Sequence, residues 1–259
     1  MAAGWLRNRK RRKLLARPFP GAWHDLLEQN VLLYRRLTEE EKAKLRDDLR
    51  IFVAEKNWEG CGGLSLTDEI QVTIAGQMAI LVLGFARQYF DRVQSILVYP
   101  DAYVAPDKTE MEAGIVLEGD SAREGEAWYR GPVVLSWPDA LAGGRGENGG
   151  HNLVFHEFAH QLDMLNGHTI DGTPPLESAE QHARWTKVMA EHYQGLVYDC
   201  QRRHRTLLDC YGTTDTGEFF AVATEAFFQR PSAMRDRYPQ LYDLFRQFYH
   251  QDPASRAPV

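Results

Sequence analysis

The sequence predicts an α+β fold, mostly helical in its N- and C-terminal parts, with a small mixed sheet between them. Three observations predict it. Apolar residues recur at helical spacing from Trp23 to Glu55. Three short apolar runs fall between residues 95 and 137, and helical periodicity returns after Gly150. At 259 residues and 44% hydrophobic, the chain is long enough to bury a core without staples.

Residues 1–20 read as a basic, flexible tail. Arg7, Arg9, Lys10, Arg11, Arg12, Lys13 and Arg17 meet no acid in that stretch, and Pro18 and Pro20 close it. A solvated tail is the first reading. RNA, an anionic membrane or an acidic partner is the other, with Trp5 and Leu6 beside the charges. Residues 21–259 read as a single compact domain, a helical part over about 21–92 and a part carrying the chemistry over about 93–259. Leu26, Leu27, Val31, Leu32 and Leu33 line the first helical segment. Thr38 followed by Glu41 spells a capping box, opening a helix with Leu45, Leu49, Ile51 and Phe52 on its apolar side. Gly60 to Gly63 is a loop. Thr67 and Asp68 open a largely buried helix through Ile70, Ile74, Ile80 and Leu83. Ser95–Tyr99, Gly114–Glu118 and Gly131–Trp137 read as strands, with a turn at Ser121–Glu126. Gly143–Gly150 reads as a loop. The helical part beyond it breaks near Gly167–Pro175 and Tyr211–Gly217.

The whole chain carries a net charge of −6, and without its first 24 residues, which hold seven bases and no acid, −13. Such a body repels phosphate backbones, which argues against nucleic-acid binding by the main domain. The longest apolar stretch, Met78–Phe85, is far too short for a transmembrane segment, and no secretory apolar region follows the basic start. Cys61, Cys200 and Cys210 are few, odd in number and in no C-x-x-C pair. They argue against a disulfide framework and a thiolate zinc finger, and fit a reducing cytoplasm.

The chemistry is concentrated in His156-Glu157-Phe158-Ala159-His160, an H-E-x-x-H pattern. Residues four apart share a helix face, so both imidazoles can bind one metal ion, with Glu157 beside them to take a proton from water. Asn152 is the expected N-cap, Asn166-Gly167 the expected stop, and Val154, Phe158, Leu162 and Leu165 the face that buries the helix. This combination predicts a zincin-like metallopeptidase core holding one Zn2+. Asp163 and Asn166 stand where the metzincin extension needs Gly and His. Two glutamates compete as third ligand. Glu180 follows His160 at the thermolysin-like distance but sits in a polar stretch. Glu218 opens a very apolar helix and shares one face with Glu225. A buried carboxylate is costly unless paired or bound to metal, so Glu218 as ligand and Glu225 as its support accounts for both. Glu225 as a simple cap or ion pair is the other reading. Tyr211 is either an oxyanion donor or a packed loop residue, and Asp163 either bonds within the site or steadies its helix. His151 and His168 read as structural or surface groups, and His182, His192 and His204 as ordinary ones.

These residues resemble the Mlc titration factor A (MtfA) family of gluzincin-type zinc peptidases. The resemblance runs from about Trp23 to Pro253. It rests on Gly150-His151-Asn152, the stretch His156–Asp163, Leu208-Asp209-Cys210-Tyr211-Gly212, Glu218-Phe219-Phe220-Ala221-Val222, Glu225-Ala226-Phe227-Phe228 and Phe248–Pro253. The family core is similar to the catalytic domain of anthrax lethal factor. The resemblance implies zinc on His156, His160 and Glu218, Glu157 as general base and Tyr211 as transition-state stabiliser. It also implies a cytoplasmic, aminopeptidase-like enzyme for short peptides. A second reading is a regulatory protein that sequesters a transcriptional repressor of the Mlc type, with peptidase activity secondary. Glu157 and Tyr211 favour the enzyme, since a binding module needs neither.

Overall fold

The computed structural model describes residues 2–86, 88–101, 131–167 and 169–256. The expected strand Gly114–Glu118, the turn Ser121–Glu126 and His168 lie outside the described residues. No helix among the described residues is long and apolar enough to cross a membrane.

Where a flexible tail is expected, the structure builds helix α1, Ala2–Leu15. Leu, Arg and Lys are good helix formers, and the body supplies the missing acids. Arg11 pairs with Glu55 (Nε to Oε1, 2.7 Å) and covers the Tyr89 ring, while Arg7 reaches Asp91. Helix α2 (Gly21–Asn30) and a 3-10 turn (Leu32–Arg36) lead to α3 (Glu39–Glu55). Both bonds of its capping box form: the Glu41 amide donates to Thr38 Oγ1, and the Thr38 amide to Glu41 Oε2. Helix α4 (Asp68–Leu81) buries every residue from Val72 to Leu81, as its apolar sequence requires.

Strands β1 (Asn57–Gly60), β2 (Ser95–Tyr99) and β3 (Val133–Ser136) form a sheet in the order β1-β2-β3. Trp58 lies opposite Ile96, and Ile96 opposite Val133. Both pairings are parallel, which corrects the expected mixed sheet. A parallel pair needs a long crossover, and between β1 and β2 the chain passes through α4. Strand β3 is at the edge among the described residues.

The expected Gly143–Gly150 loop is also corrected. Helix α5 (Trp137–Arg145) runs through Gly143 and Gly144 and stops at Gly146, whose φ is 72°. Ser136 caps it, accepting from the Asp139 amide. Glycine weakens a helix, but here it lets one pass close to its neighbours. A Cβ on Gly144 would fall 2.5 Å from the Asn30 carbonyl oxygen and 2.9 Å from Gln77 Nε2.

The remaining helices are α6 (Leu153–Asp163), α7 (Ala179–Gln201), α8 (Thr216–Gln229), α9 (Pro231–Arg237) and α10 (Pro239–Tyr249). The rings of Phe227, Phe245 and Tyr249 pack between α8 and α10, with Trp185 of α7 stacked on Phe245. Contrary to the expectation from the cysteine count, Cys200 and Cys210 form a disulfide. It ties the last turn of α7 to a 3-10 turn, Cys210–Thr213. A single bridge is not a framework, and an odd count does not exclude one.

The close approach at α5 predicts opposite outcomes for two glycines. Gly144→Ala should cost about 1–3 kcal/mol, because the backbone of α2 must shift. Gly195→Ala, in α7 with nothing within 4 Å of an added Cβ, should gain up to about 1 kcal/mol. Urea unfolding of the two variants checks both signs.

Candidate metal centre

Helix α6 starts where a hydrogen-bond network fixes Asn152. Its Oδ1 accepts from the Phe155 amide, its side-chain Nδ2 donates to Gln77 Oε1, and its own amide donates to Glu225 Oε2 at 2.6 Å. Val154, Phe155, Phe158, Ala159 and Leu162 are fully buried. With that face committed to the core, His156 and His160 are left one turn apart on the side where the centre forms. Helix α8 is capped by Asp215, which accepts from the Glu218 amide, so Glu218 stands in its first turn.

The structure brings His156, His160 and Glu218 together, with one ligand atom from each within 4.8 Å of the others. The two histidine Nε2 atoms are 3.3 Å apart. Glu218 Oε2 is 2.9 Å from His156 Nε2, and Oε1 is 3.5 Å from His160 Nε2. The buried Glu218 Oε2 nevertheless has no hydrogen-bond partner. Buried polar atoms are normally satisfied. Three convergent lone-pair donors, one of them orphaned, suit a cation. Two imidazoles and a carboxylate also match the three-ligand set of a catalytic zinc site.

Glu225 sits behind His156. Its Oε1 is 2.8 Å from His156 Nδ1, which turns Nε2 toward the cluster. Burial opposes charge on His156, but Glu218 and Glu225 outweigh it and hold the metal-free imidazolium pKa up at about 10. Burial likewise opposes charge on Glu218, yet the two histidines hold its carboxyl down at about 2. Glu157 is pushed up, chiefly by burial, while His160 and His156 pull the other way.

Tyr211 is 56% exposed, with its ring centroid 6.0 Å from that of His156. Asp209 caps its turn by accepting from the Tyr211 amide at 2.7 Å. Asp163 is fully buried, and its Oδ2 accepts from the Gly172 amide. It ties the 167–175 break to the end of α6. Its carboxyl is pushed up to about 6, chiefly by burial. Glu180 is exposed on α7, outside the cluster. His151, read as structural or surface from sequence, lies 3.2 Å from Asp209 and 3.7 Å from Glu225. The sequence signals for that position are its adjacency to the Asn152 cap and its place in the Gly150-His151-Asn152 motif.

A helix bearing H-E-x-x-H beside Glu218 of the apolar helix α8, against a small sheet, defines a metallopeptidase. The chain belongs to the glucose-regulated metallopeptidase M90 family, whose model matches residues 5–250. It is 36% identical to an uncharacterised protein of Synechocystis sp. over 250 residues, 96% of this chain and 90% of that one. It is 31% identical to Mlc titration factor A of Yersinia enterocolitica over 254 residues, 97% of this chain and 91% of the relative. The Mlc titration factor A of Yersinia pestis is 30% identical over the same length, 97% of this chain and 90% of that protein.

Two predictions follow from the centre's electrostatics. Because the metal-free His156 pKa is about 10, metal uptake at pH 7.5 must displace its proton. Calorimetry in buffers of different ionisation enthalpy should give close to one proton released from this group. The same shift sets a stability window for the metal-free chain. The contribution of charged His156 is complete below pH about 6.5 and is lost as pH rises through about 10. Separately, Glu225→Gln should weaken metal binding by about 10–100-fold in a competitive chelator titration, since it leaves His156 without its carboxylate support.

Proposed function

We propose that the protein is a zinc-dependent peptidase, aminopeptidase-like and acting on short peptides. The observation that carries this reading is the juxtaposition of His156, His160 and Glu218 with Glu157 on the same helix. The three would hold the zinc. Bound there, zinc supplies Lewis-acid polarisation of the scissile carbonyl and lowers the pKa of water at the site.

The chain's own residues supply the rest. Glu157, whose carboxyl burial pushes upward, suits a general base that must take a proton from the attacking water and return it to the leaving amine. Tyr211 would donate its phenolic proton in a hydrogen bond to the carbonyl oxygen as negative charge builds there. Glu225 would keep His156 oriented, and Asp163 would support the site at one remove by holding the end of α6. Strand β3 would bind the substrate backbone as an added strand. Residues 21–259 would act as one unit, with the 21–92 part supporting the 93–259 part, in the cytoplasm.

The Mlc titration factor A relatives give a second reading, in which this chain binds a repressor of the Mlc type and peptidase action is secondary. Capture of such a repressor by the Glu157→Gln protein would separate the two, since a scaffold does not need the base.

The decisive test is hydrolysis of amino-acid and short-peptide anilides with metal content measured in parallel. Glu157→Gln should retain zinc and lose at least about 100-fold in kcat. Tyr211→Phe should lose about 100-fold in kcat with little change in KM. Wild-type turnover that survives Glu157→Gln contradicts the reading.

A further inference from the structure

A polar cavity of about 340 Å³ opens beside the metal centre, between the Gly149–His151 loop, the Thr206–Cys210 segment and the last turns of α8. It begins at Cys210, the neighbour of Tyr211, and Glu225 forms part of its wall. It therefore lies behind His156, on the Nδ1 side of that ring, and next to the turn that bears Tyr211.

The charges in this cavity are unequally engaged. Glu225 is bound on both oxygens, by His156 and by the Asn152 amide. Asp209 is also engaged on both, by the Tyr211 amide and by His151 Nε2. The acids therefore have their partners. Arg230 does not: no carboxylate lies within ion-pair distance of it among the described residues, and its one protein contact of this kind is a long bond to the Leu207 carbonyl, 3.5 Å. Its side chain is exposed and lies against the Gly149–His151 loop. Gly150 adopts φ 103°, and a Cβ there would fall 2.5 Å from Arg230 Nε. The glycine lets the loop pass directly over the arginine. His151, also in the wall, has its pKa raised, first by Glu225.

We propose that this cavity is a substrate subsite for a carboxylate, with Arg230 as the specificity-determining residue. A guanidinium matches a carboxylate through two parallel N–H bonds, and this one lines the cavity with no carboxylate bound to it among the described residues. The carboxylate is either an acidic side chain of the peptide or its C-terminus. The assignment takes the peptidase reading for its class of ligand, but its test does not depend on turnover.

The test measures binding of three peptides with free amino termini to zinc-loaded Glu157→Gln protein by calorimetry: tetra-alanine amide, the same peptide with one Glu, and the tetra-alanine acid. At least one carboxylate peptide should bind about five-fold more tightly than the neutral amide. Which one does so identifies the source. In a background carrying Arg230→Ala the preference should fall to none, and Arg230→Lys should restore part of it. Equal binding of all three peptides overturns the proposal, and so does a preference that survives Arg230→Ala. Wild-type hydrolysis of the same three peptides, run alongside, keeps the two ideas apart. Hydrolysis without preference removes the subsite and leaves the peptidase. Preference without hydrolysis of any peptide removes the peptidase and leaves the subsite.

Discussion

The structure depends on one buried carboxylate. Glu225, in the middle of an otherwise apolar helix, bonds His156 Nδ1 with one oxygen and the Asn152 amide with the other. A single side chain thus joins α8 to both the start and the first histidine of α6. Leaving a carboxylate among Phe219, Phe220, Phe227 and Phe228 is costly unless it is engaged on both sides. Its cost is offset by the contacts that define the metal centre. Asn152 in turn reaches Gln77, which donates to the Ala140 carbonyl, so the network extends into α4 and α5.

That network explains the division of labour in the fold. The apolar helices α4, α6 and α8 bury their faces in the core, and the caps fix where the elements that carry the chemistry begin. Asn152 caps α6, Asp215 caps α8 and Asp209 caps the turn that bears Tyr211. Each cap stands two to four residues before a group of the centre: Asn152 before His156, Asp215 before Glu218 and Asp209 before Tyr211. Cap geometry is local and short, so it sets the positions of the chemical groups more tightly than long loops could.

The centre was more legible in the sequence than the frame around it. His156 and His160 are readable because helical spacing alone places them on one face, and Glu157 because it stands next to the first of them. Glu218 and Glu225 are readable because charge in an apolar run demands a reason. The frame depends on encounters between distant segments. Helix α5 hides behind its glycines, whose value lies in the approach of Asn30 and Gln77. Strand β1 is four residues long with alternating burial, too short for a periodicity signal. The parallel direction of the sheet comes from a crossover, and the ordering of α1 comes from Glu55 and Asp91. The Cys200–Cys210 bridge depends on the end of α7 meeting the turn after it. Arg230 carries no motif at all, and its place in the wall of a cavity is visible only in the structure.

The central claim is that one metal ion is held by two imidazoles and a carboxylate, with Glu225 fixing the first imidazole. X-ray absorption spectroscopy of the zinc-loaded protein tests it most directly. The account predicts two histidine nitrogens and carboxylate oxygen at about 2.0–2.2 Å, with no sulfur shell, and loss of one light scatterer in Glu218→Ala. A sulfur shell at about 2.3 Å, or a spectrum unchanged in Glu218→Ala, would contradict it.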